Sequence, residues 1–332
     1  MLRYLVHRLF IMIPTLLAIS AIVFVIIQLP PGDYLTTYMT ELQSQGESVT
    51  EDKIAFLRKQ YGLGLPWYEQ YFLWLGGLLQ GNFGFSFEYN EPVTRVVGDV
   101  IWLSMIVASS TILFSWIVSF PIGVYSAIRQ YSWGDYVLSF VGFLGLATPS
   151  FLLALVLLYL ANVWFGVSIG GLMDERFVGK PWTWAKARSI LEHLWIPVVV
   201  IGTAHTAGMI RRLRANLLDE LQKQYVVTGR AKGLPPRRLL LKYPLRIALN
   251  PFVADIGNVL PQIVSSAAVV AVVLSLPTTG PLLIRALKSQ DMYLAGFLLM
   301  CLATLTVIGV LISDILLALL DPRIRLQGGI RR

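Results

Sequence analysis

The sequence predicts an all-α fold: a polytopic membrane protein with six transmembrane helices. Composition is the first indication, since hydrophobic residues make up 56% of the 332 residues and charged ones only 14%, with a mean hydropathy of +0.67. The second is their arrangement in six uncharged runs: Leu9–Gly32, Val100–Ile128, Tyr136–Met173, His193–Ile210, Ile256–Ile284 and Met292–Ser313. Each run reaches the about 17–25 residues that a helix needs to cross ~30 Å of hydrocarbon. The third is charge sidedness. Six spans put both termini on one side, and that side holds 17 Lys and Arg against 6 on the other, once four in a loop of more than 60 residues are set aside. Both termini are therefore expected to be cytoplasmic. The net charge of +8 is accounted for by this asymmetry and does not call for nucleic acid.

Residues 1–29 form the N-terminus and the first helix. Arg3 and Arg8 ahead of an apolar stretch look like a secretory signal, but Leu29-Pro30-Pro31-Gly32-Asp33 offers no small-residue cleavage site, so the helix is expected to be retained. Residues 30–98 follow as an outer loop. It contains a predicted short helix, Glu51–Gln60, and the aromatic stretch Pro66-Trp67-Tyr68-Glu69-Gln70-Tyr71-Phe72-Leu73-Trp74. Trp and Tyr at that density suit a segment at the lipid headgroup level, a reading favoured over a docking surface for an external partner.

Residues 99–210 hold spans two to four. The third run is too long for one helix, and the glycines of its tail place the end of the span near Trp164, with a smaller outer cap over 166–192. Pro121 and Pro149 fall within spans, where a missing backbone donor kinks a helix, and Thr148 and Ser150 stand beside the second to satisfy the freed groups.

Residues 211–250 carry ten of the 27 cationic residues on the cytoplasmic side, yet Tyr225 to Leu241 is patterned rather than low-complexity. Gly233 can end one short helix in the left-handed conformation, and a proline just beyond it can occupy the first turn of the next. Leu239 to Leu241 add an apolar face. Two short helices joined by a Gly-Leu-Pro turn would make a rigid knob. An anionic-lipid anchor would explain the charge but not the Gly and Pro spacing, so a protein-docking role is favoured.

Residues 251–320 hold spans five and six, the fifth stopping near Leu276, and 321–332 form a basic cytoplasmic tail. Asp255, Asn258, Gln262 and Ser265, at offsets 0, 3, 7 and 10, share one face of the fifth helix, which also carries Pro261. An Asp at mid-membrane costs about 2.5–3.5 kcal/mol, so such a face turns toward the bundle interior or a water-filled cavity. Asn258, Gln262 and Ser265, with Thr148 and Ser150, are accordingly candidate translocation-pathway residues, and helix-to-helix hydrogen bonding is the alternative use. Asp255 is expected near the cytoplasmic end, and Asp314 to pair with a basic residue at the inner end of span six.

Several chemistries lack their residues. No Gly-x-x-x-x-Gly-Lys-Ser/Thr occurs, the one Gly-Lys pair, Gly179-Lys180, being followed by Pro181, so the chain is not expected to hydrolyse ATP. His7, His193 and His205 are dispersed and no His-Glu-x-x-His exists, which argues against a metal site. The single cysteine, Cys301, excludes an internal disulfide framework. No catalytic residue is predicted.

From end to end the chain resembles the dipeptide/oligopeptide/nickel branch of binding-protein-dependent ABC transporter permeases. The resemblance runs through Arg3-Tyr4-Leu5, Ile13-Pro14-Thr15-Leu16, Pro31-Gly32-Asp33, Tyr61-Gly62-Leu63, Gln70-Tyr71, Gly81-Asn82-Phe83-Gly84-Phe85-Ser86 and Pro121-Ile122-Gly123. It is strongest at Tyr225 to Leu234 and at Asp321-Pro322-Arg323-Ile324-Arg325. It implies a type I ABC importer permease fold in a bacterial cytoplasmic (inner) membrane. It also implies that a coupling helix docks on an ATPase through Tyr225, Thr228, Gly229, Arg230, Ala231, Lys232, Gly233 and Leu234. The implied partners are a second permease, two ATPase subunits that bind the ATP and Mg, an external substrate-binding protein and membrane lipid. The implied cargo is peptides or solutes of similar size, with oligosaccharides as an alternative suggested by the long second outer loop. Gly229 stands where alanine is usual in the family, which predicts a looser helix, and Pro277-Thr278-Thr279-Gly280 replaces the usual Pro-Gly-Leu-Gly. A secondary transporter or channel working without ATP is the competing reading; it predicts inverted repeats and ion-carrying acids in the spans, and neither is visible.

Overall fold

The computed structural model describes residues 2–29, 65–165, 170–254 and 268–320. The predicted helix Glu51–Gln60, the motifs at 31–33, 61–63 and 321–325, and Asp255, Asn258, Pro261, Gln262 and Ser265 lie outside the described residues.

Helices α1 (Leu2–Gln28) and α11 (Met292–Leu320) pack side by side, with Val23, Phe24 and Met292 in one buried cluster. At one end of the pair Arg8 Nε meets Asp314 Oδ2 at 3.1 Å, the basic partner expected for Asp314. The aromatic stretch forms α2 (Trp67–Leu79), which leans on this pair. The Tyr71 and Ser20 hydroxyls are 2.9 Å apart, and Gly296 lets the Trp74 indole approach so closely that a Cβ there would lie 2.9 Å from it. Trp67, Phe72 and Leu79 face outward, an amphipathic division that fits the interfacial reading.

A two-stranded hairpin, β1 (Phe85–Ser86) and β2 (Glu91–Pro92), pairs Phe85 with Pro92 and Ser86 with Glu91. It is clasped to the start of α11. The fully buried Asp291 carboxylate caps that helix by accepting from Leu294 N–H at 3.1 Å, and it also accepts from Ser86 Oγ at 2.6 Å and Glu88 N–H at 3.2 Å. Gly84, with φ +79°, lies under the Tyr293 ring, where a Cβ would come within 2.2 Å of a ring carbon.

The centre of the molecule is the pair α3 (Val93–Ile128) and α6 (Trp184–Leu221), which run parallel in steady register. Asp99 meets Lys186, Ser115 meets Gly202, Ser119 meets Met209, and Gly123 lies against Leu213. Buried small residues on α3 (Ala108, Thr111, Ser115, Ser119, Gly123, Ser126) recur at helical spacing and let the two backbones come close. Both helices overrun the uncharged runs that announced them. Lys186 near the start of α6 and Arg214 near its end are paired with Asp99 and Asp135, while Arg95, Arg211 and Asp219 are exposed within the same two helices, so charge does not mark the helix boundary. Lys186, with its side chain 1% exposed, donates from Nζ to the Lys180 carbonyl at 2.8 Å, approaches Asp99 at 3.4 Å and lies 5.1 Å over the Trp182 ring.

The third run departs most from expectation. It contains two helices, α4 (Trp133–Ala147) and α5 (Ser150–Phe165), bent by 100° at Thr148-Pro149. Thr148 is extended (ψ 121°), its hydroxyl donates to the Leu144 carbonyl at 2.8 Å, and the Pro149 carbonyl starts the new helix by accepting from Leu152 and Leu153 N–H. A residue preceding proline disfavours the helical region, and here the chain turns altogether instead of kinking. Four helices among the described residues are long and apolar enough to cross a membrane, within α1, α3, α6 and α11, and the α4–α5 pair makes a fifth if it is one broken span. Residues 250–254 and 268–273 are helical. The second stretch ends near Leu276, as expected, through Ser275 at φ 54° and a bond from Leu276 N–H to the Ala271 carbonyl at 2.8 Å. α10 (Thr279–Lys288) follows, with Gly280 so close to Ala268 that a Cβ would lie 3.0 Å from its Cα.

Candidate functional site: a basic knob at one end of the bundle

Beyond the end of α6 the chain folds into α7 (Gln224–Ala231), α8 (Pro236–Lys242) and α9 (Pro244–Ala248). The turn between α7 and α8 follows from local chemistry. Gly233 takes φ +76°, its N–H reaches the Arg230 carbonyl at 3.0 Å, and Leu234 N–H reaches the Gly229 carbonyl at 3.2 Å. These two bonds are a complete Schellman motif, which satisfies carbonyls that a helix end otherwise leaves open. Pro235 then caps α8 and Pro236 is its first residue, where a missing N–H costs nothing.

The two helices are pressed together at Gly229. A Cβ on Gly229 would lie 2.6 Å from Leu239 Cδ1 and 3.5 Å from Leu234 Cδ1. The missing methyl is therefore filled by Leu239, which is buried, and the expected loosening at Gly229 is replaced by a close helix-to-helix contact. Tyr225 donates from its hydroxyl to the Glu220 carboxylate, and its ring lies 6.4 Å from that of Tyr243. Burial and the adjacent carboxylate push the Tyr225 phenol well above its usual range, so it stays a donor.

Below the knob Leu213, Leu217, Ala248 and Phe252 are buried with Ala127 and Met209, and Leu240 and Leu245 pack against them. α7–α9 are thus fixed to the ends of α3 and α6 and do not hang in solvent. What remains exposed is one mixed face. Val227, Thr228, Arg230, Ala231, Lys232 and Gly233 are open on α7 and its turn, Leu241 on α8 and Ile247 on α9. Arg237, Arg238, Lys242 and Arg246 add charge around them. Of the docking residues named from sequence, Tyr225 and Leu234 are half-buried and Gly229 is buried as packing groups, while the other five face outward. Of the pathway residues, Thr148 and Ser150 stand half-buried at the α4–α5 break, with the Thr148 hydroxyl already engaged.

Sequence reasoning did not foresee a second feature at this end of the bundle. Asp135, 2% exposed in the first turn of α4, accepts both forks of Arg214 on α6, Nε at 3.0 Å and Nη2 at 2.8 Å, together with Tyr131 N–H at 3.0 Å. Ser132 caps the helix by accepting from Asp135 N–H at 3.2 Å. The Ser-x-x-Asp spacing at a helix start was the available signal for the acid, but nothing local identifies Arg214 as its partner. At the other end of the bundle, Arg176 draws the Asp174 carboxyl below its ordinary value, with the His193 ring 3.9 Å from it. No group of three His, Cys, Asp or Glu among the described residues could hold a metal ion.

Known protein sequences match this chain along nearly its whole length. Residues 119–326 match the family model described as binding-protein-dependent transport system inner membrane component, and residues 1–108 match the companion N-terminal model. The oligopeptide transport system permease protein AppB of Bacillus subtilis is 34% identical over 98% of this chain and 99% of its own. The oligopeptide permease protein OppB of Haemophilus influenzae is 29% identical over 98% and 100%, and the nickel import permease protein NikB of Staphylococcus aureus 28% over 98% and 93%. With a family model covering most of its length and relatives matched end to end, the chain belongs to the inner-membrane permease components of binding-protein-dependent transport systems.

Proposed function

We propose that this permease subunit of an ABC importer moves short peptides handed over by an external binding protein, with the α7–α8 knob as the handle on which a separate ATPase pulls. The observation that carries the reading is mechanical. An exposed basic face is mounted on two helices locked by a Schellman turn, a Gly229–Leu239 contact and a buried apolar base. A coupling element must move as a body, and a flexible basic loop would dissipate the displacement. The peptide cargo is supported by the two oligopeptide permease proteins that are 34% and 29% identical to this chain.

In this reading α4–α5 forms one span and the fifth uncharged run, from Ile256 to near Leu276, another, which brings the total to six, and the knob shares the cytoplasmic side with both termini. A second permease completes the pathway, and two ATPases, which bind ATP and Mg, grip one knob each. ATP binding draws the ATPases together, and the bundles rock from inward-open to outward-open because the closed pair binds only one of the two states well. The polar residues Asn258, Gln262, Ser265, Thr148 and Ser150 line the route. Reversing charge with Arg230→Glu/Lys232→Glu tests the handle: ATPase co-purification and uptake are expected to fall at least about tenfold, the loss of 1.4 kcal/mol or more of docking energy. Unchanged assembly and uptake would refute it.

A further inference from the structure

At the end of the bundle away from the knob, a cavity of about 680 Å³ opens between the hairpin, the first turns of α3, residues 271–278 and α10. That volume lies within the about 300–1,000 Å³ of sites for drug-sized ligands, the size class of a peptide of a few residues. Its walls are apolar where Val100 and Leu282 line it, and Tyr89 adds an aromatic face with a hydroxyl. Three ionic groups of opposite sign share this space. Glu91 stands on β2, where strand pairing with Ser86 fixes it, and Arg285 and Lys288 stand three positions apart on α10, hence on one face of that helix. None of the three is in an ion pair with another described residue.

We infer that this cavity receives the transported solute and that it selects a short peptide with both termini free, Glu91 taking the ammonium end and Arg285 with Lys288 the carboxylate end. The inference rests on the peptide-permease reading above and adds to it the recognition chemistry. A neutral oligosaccharide offers no counter-charge to half-buried Glu91 or to the exposed Arg285 and Lys288, a simple anion is opposed by Glu91, and a simple cation by Arg285 and Lys288. A zwitterion of matching length satisfies all three, and its apolar side chains have Val100 and Leu282 to rest on.

The test uses the assembled transporter, with its partner permease and ATPases, in lipid nanodiscs without the external binding protein. Val272, which lines the cavity and is exposed, is changed by Val272→Cys in a Cys301→Ser background, and the rate of alkylation by a maleimide is followed. A pool of mixed tri- and tetrapeptides with free termini, supplied well above its dissociation constant, is expected to slow alkylation about fivefold or more by simple occupancy. The same pool acetylated and amidated is expected to leave the rate unchanged. Glu91→Gln and the double variant Arg285→Gln/Lys288→Gln should each abolish the protection while co-purification with the ATPases is retained. Equal protection by both pools, or by neither, overturns the inference. Uptake of the same peptides by the wild-type assembly with its binding protein separates the two levels: uptake without protection removes the cavity assignment alone, and absence of both removes the peptide reading with it.

Discussion

Gly229 and Gly233 belong to the end of the same short helix and do different work. Gly233 supplies a left-handed φ of +76°, a requirement legible from the Gly-Leu-Pro-Pro order because it depends only on neighbours in the chain. Gly229 supplies room, and that was illegible, since its filler, Leu239, comes from another helix. The geometry makes a graded prediction. In Gly229→Ala the new methyl meets only the tip of a flexible leucine, and alanine gains about 1 kcal/mol of helix propensity, so thermal stability should change by less than about 1 kcal/mol. In Gly229→Val the branched side chain cannot share the space with Leu239, and a destabilisation of about 1–3 kcal/mol is expected with loss of ATPase co-purification. Equal tolerance of both variants in melting and pull-down measurements would show that α7 and α8 do not touch as described. Gly84 is stricter still, because Gly84→Ala meets both a positive φ and the rigid Tyr293 ring.

Among the elements, the sequence announced the helices by their apolar runs but not how two of them are cut and clasped. Pro149 marked a weak point, yet a 100° bend depends on how α4 and α5 each find a surface on α6, which no local pattern records. The hairpin clasp was similarly hidden, since Ser86 and Asp291 are 205 positions apart. Burial pushes the Asp291 carboxyl above its ordinary value, against the pull of Ser86 Oγ and the Leu294, Glu88 and Phe87 N–H groups. A folded-state value raised above the unfolded one contributes stability that is full at acid pH and is lost as pH rises through the folded value. The clasp should therefore hold best on the acid side. Asp291→Asn keeps an acceptor for Leu294 N–H and cannot ionise, so its melting temperature should lack the decline with rising pH expected of the wild type. An identical pH profile for the two proteins would place the titrating group elsewhere.

For the molecule as a whole, the proposed function requires that motion at the knob reach helices that never touch it. α6 is common to every contact on that route, since it packs along α3, carries the knob at its end and holds α4 through Arg214. If the Asp135–Arg214 fork is what makes α4 follow α6, the two partners should not be equivalent. Asp135 is 2% exposed whereas the Arg214 side chain is 28% exposed, so Arg214→Gln strands a buried carboxylate and Asp135→Asn leaves a guanidinium that water can still reach. Stranding one member of a buried pair costs about 3–5 kcal/mol, and the Asp135 variant should fall below that range because its orphan is partly solvated. The double variant Asp135→Asn/Arg214→Gln should recover part of the Arg214→Gln loss, giving a coupling energy of about 0.5–3 kcal/mol in a double-mutant cycle. Transport provides the second readout. If α4 moves with α6 through this fork, Arg214→Gln at a temperature where it remains folded should hydrolyse ATP with its partners while moving less solute per ATP. Retention of normal coupling in a folded Arg214→Gln assembly would mean that α3 alone carries the displacement.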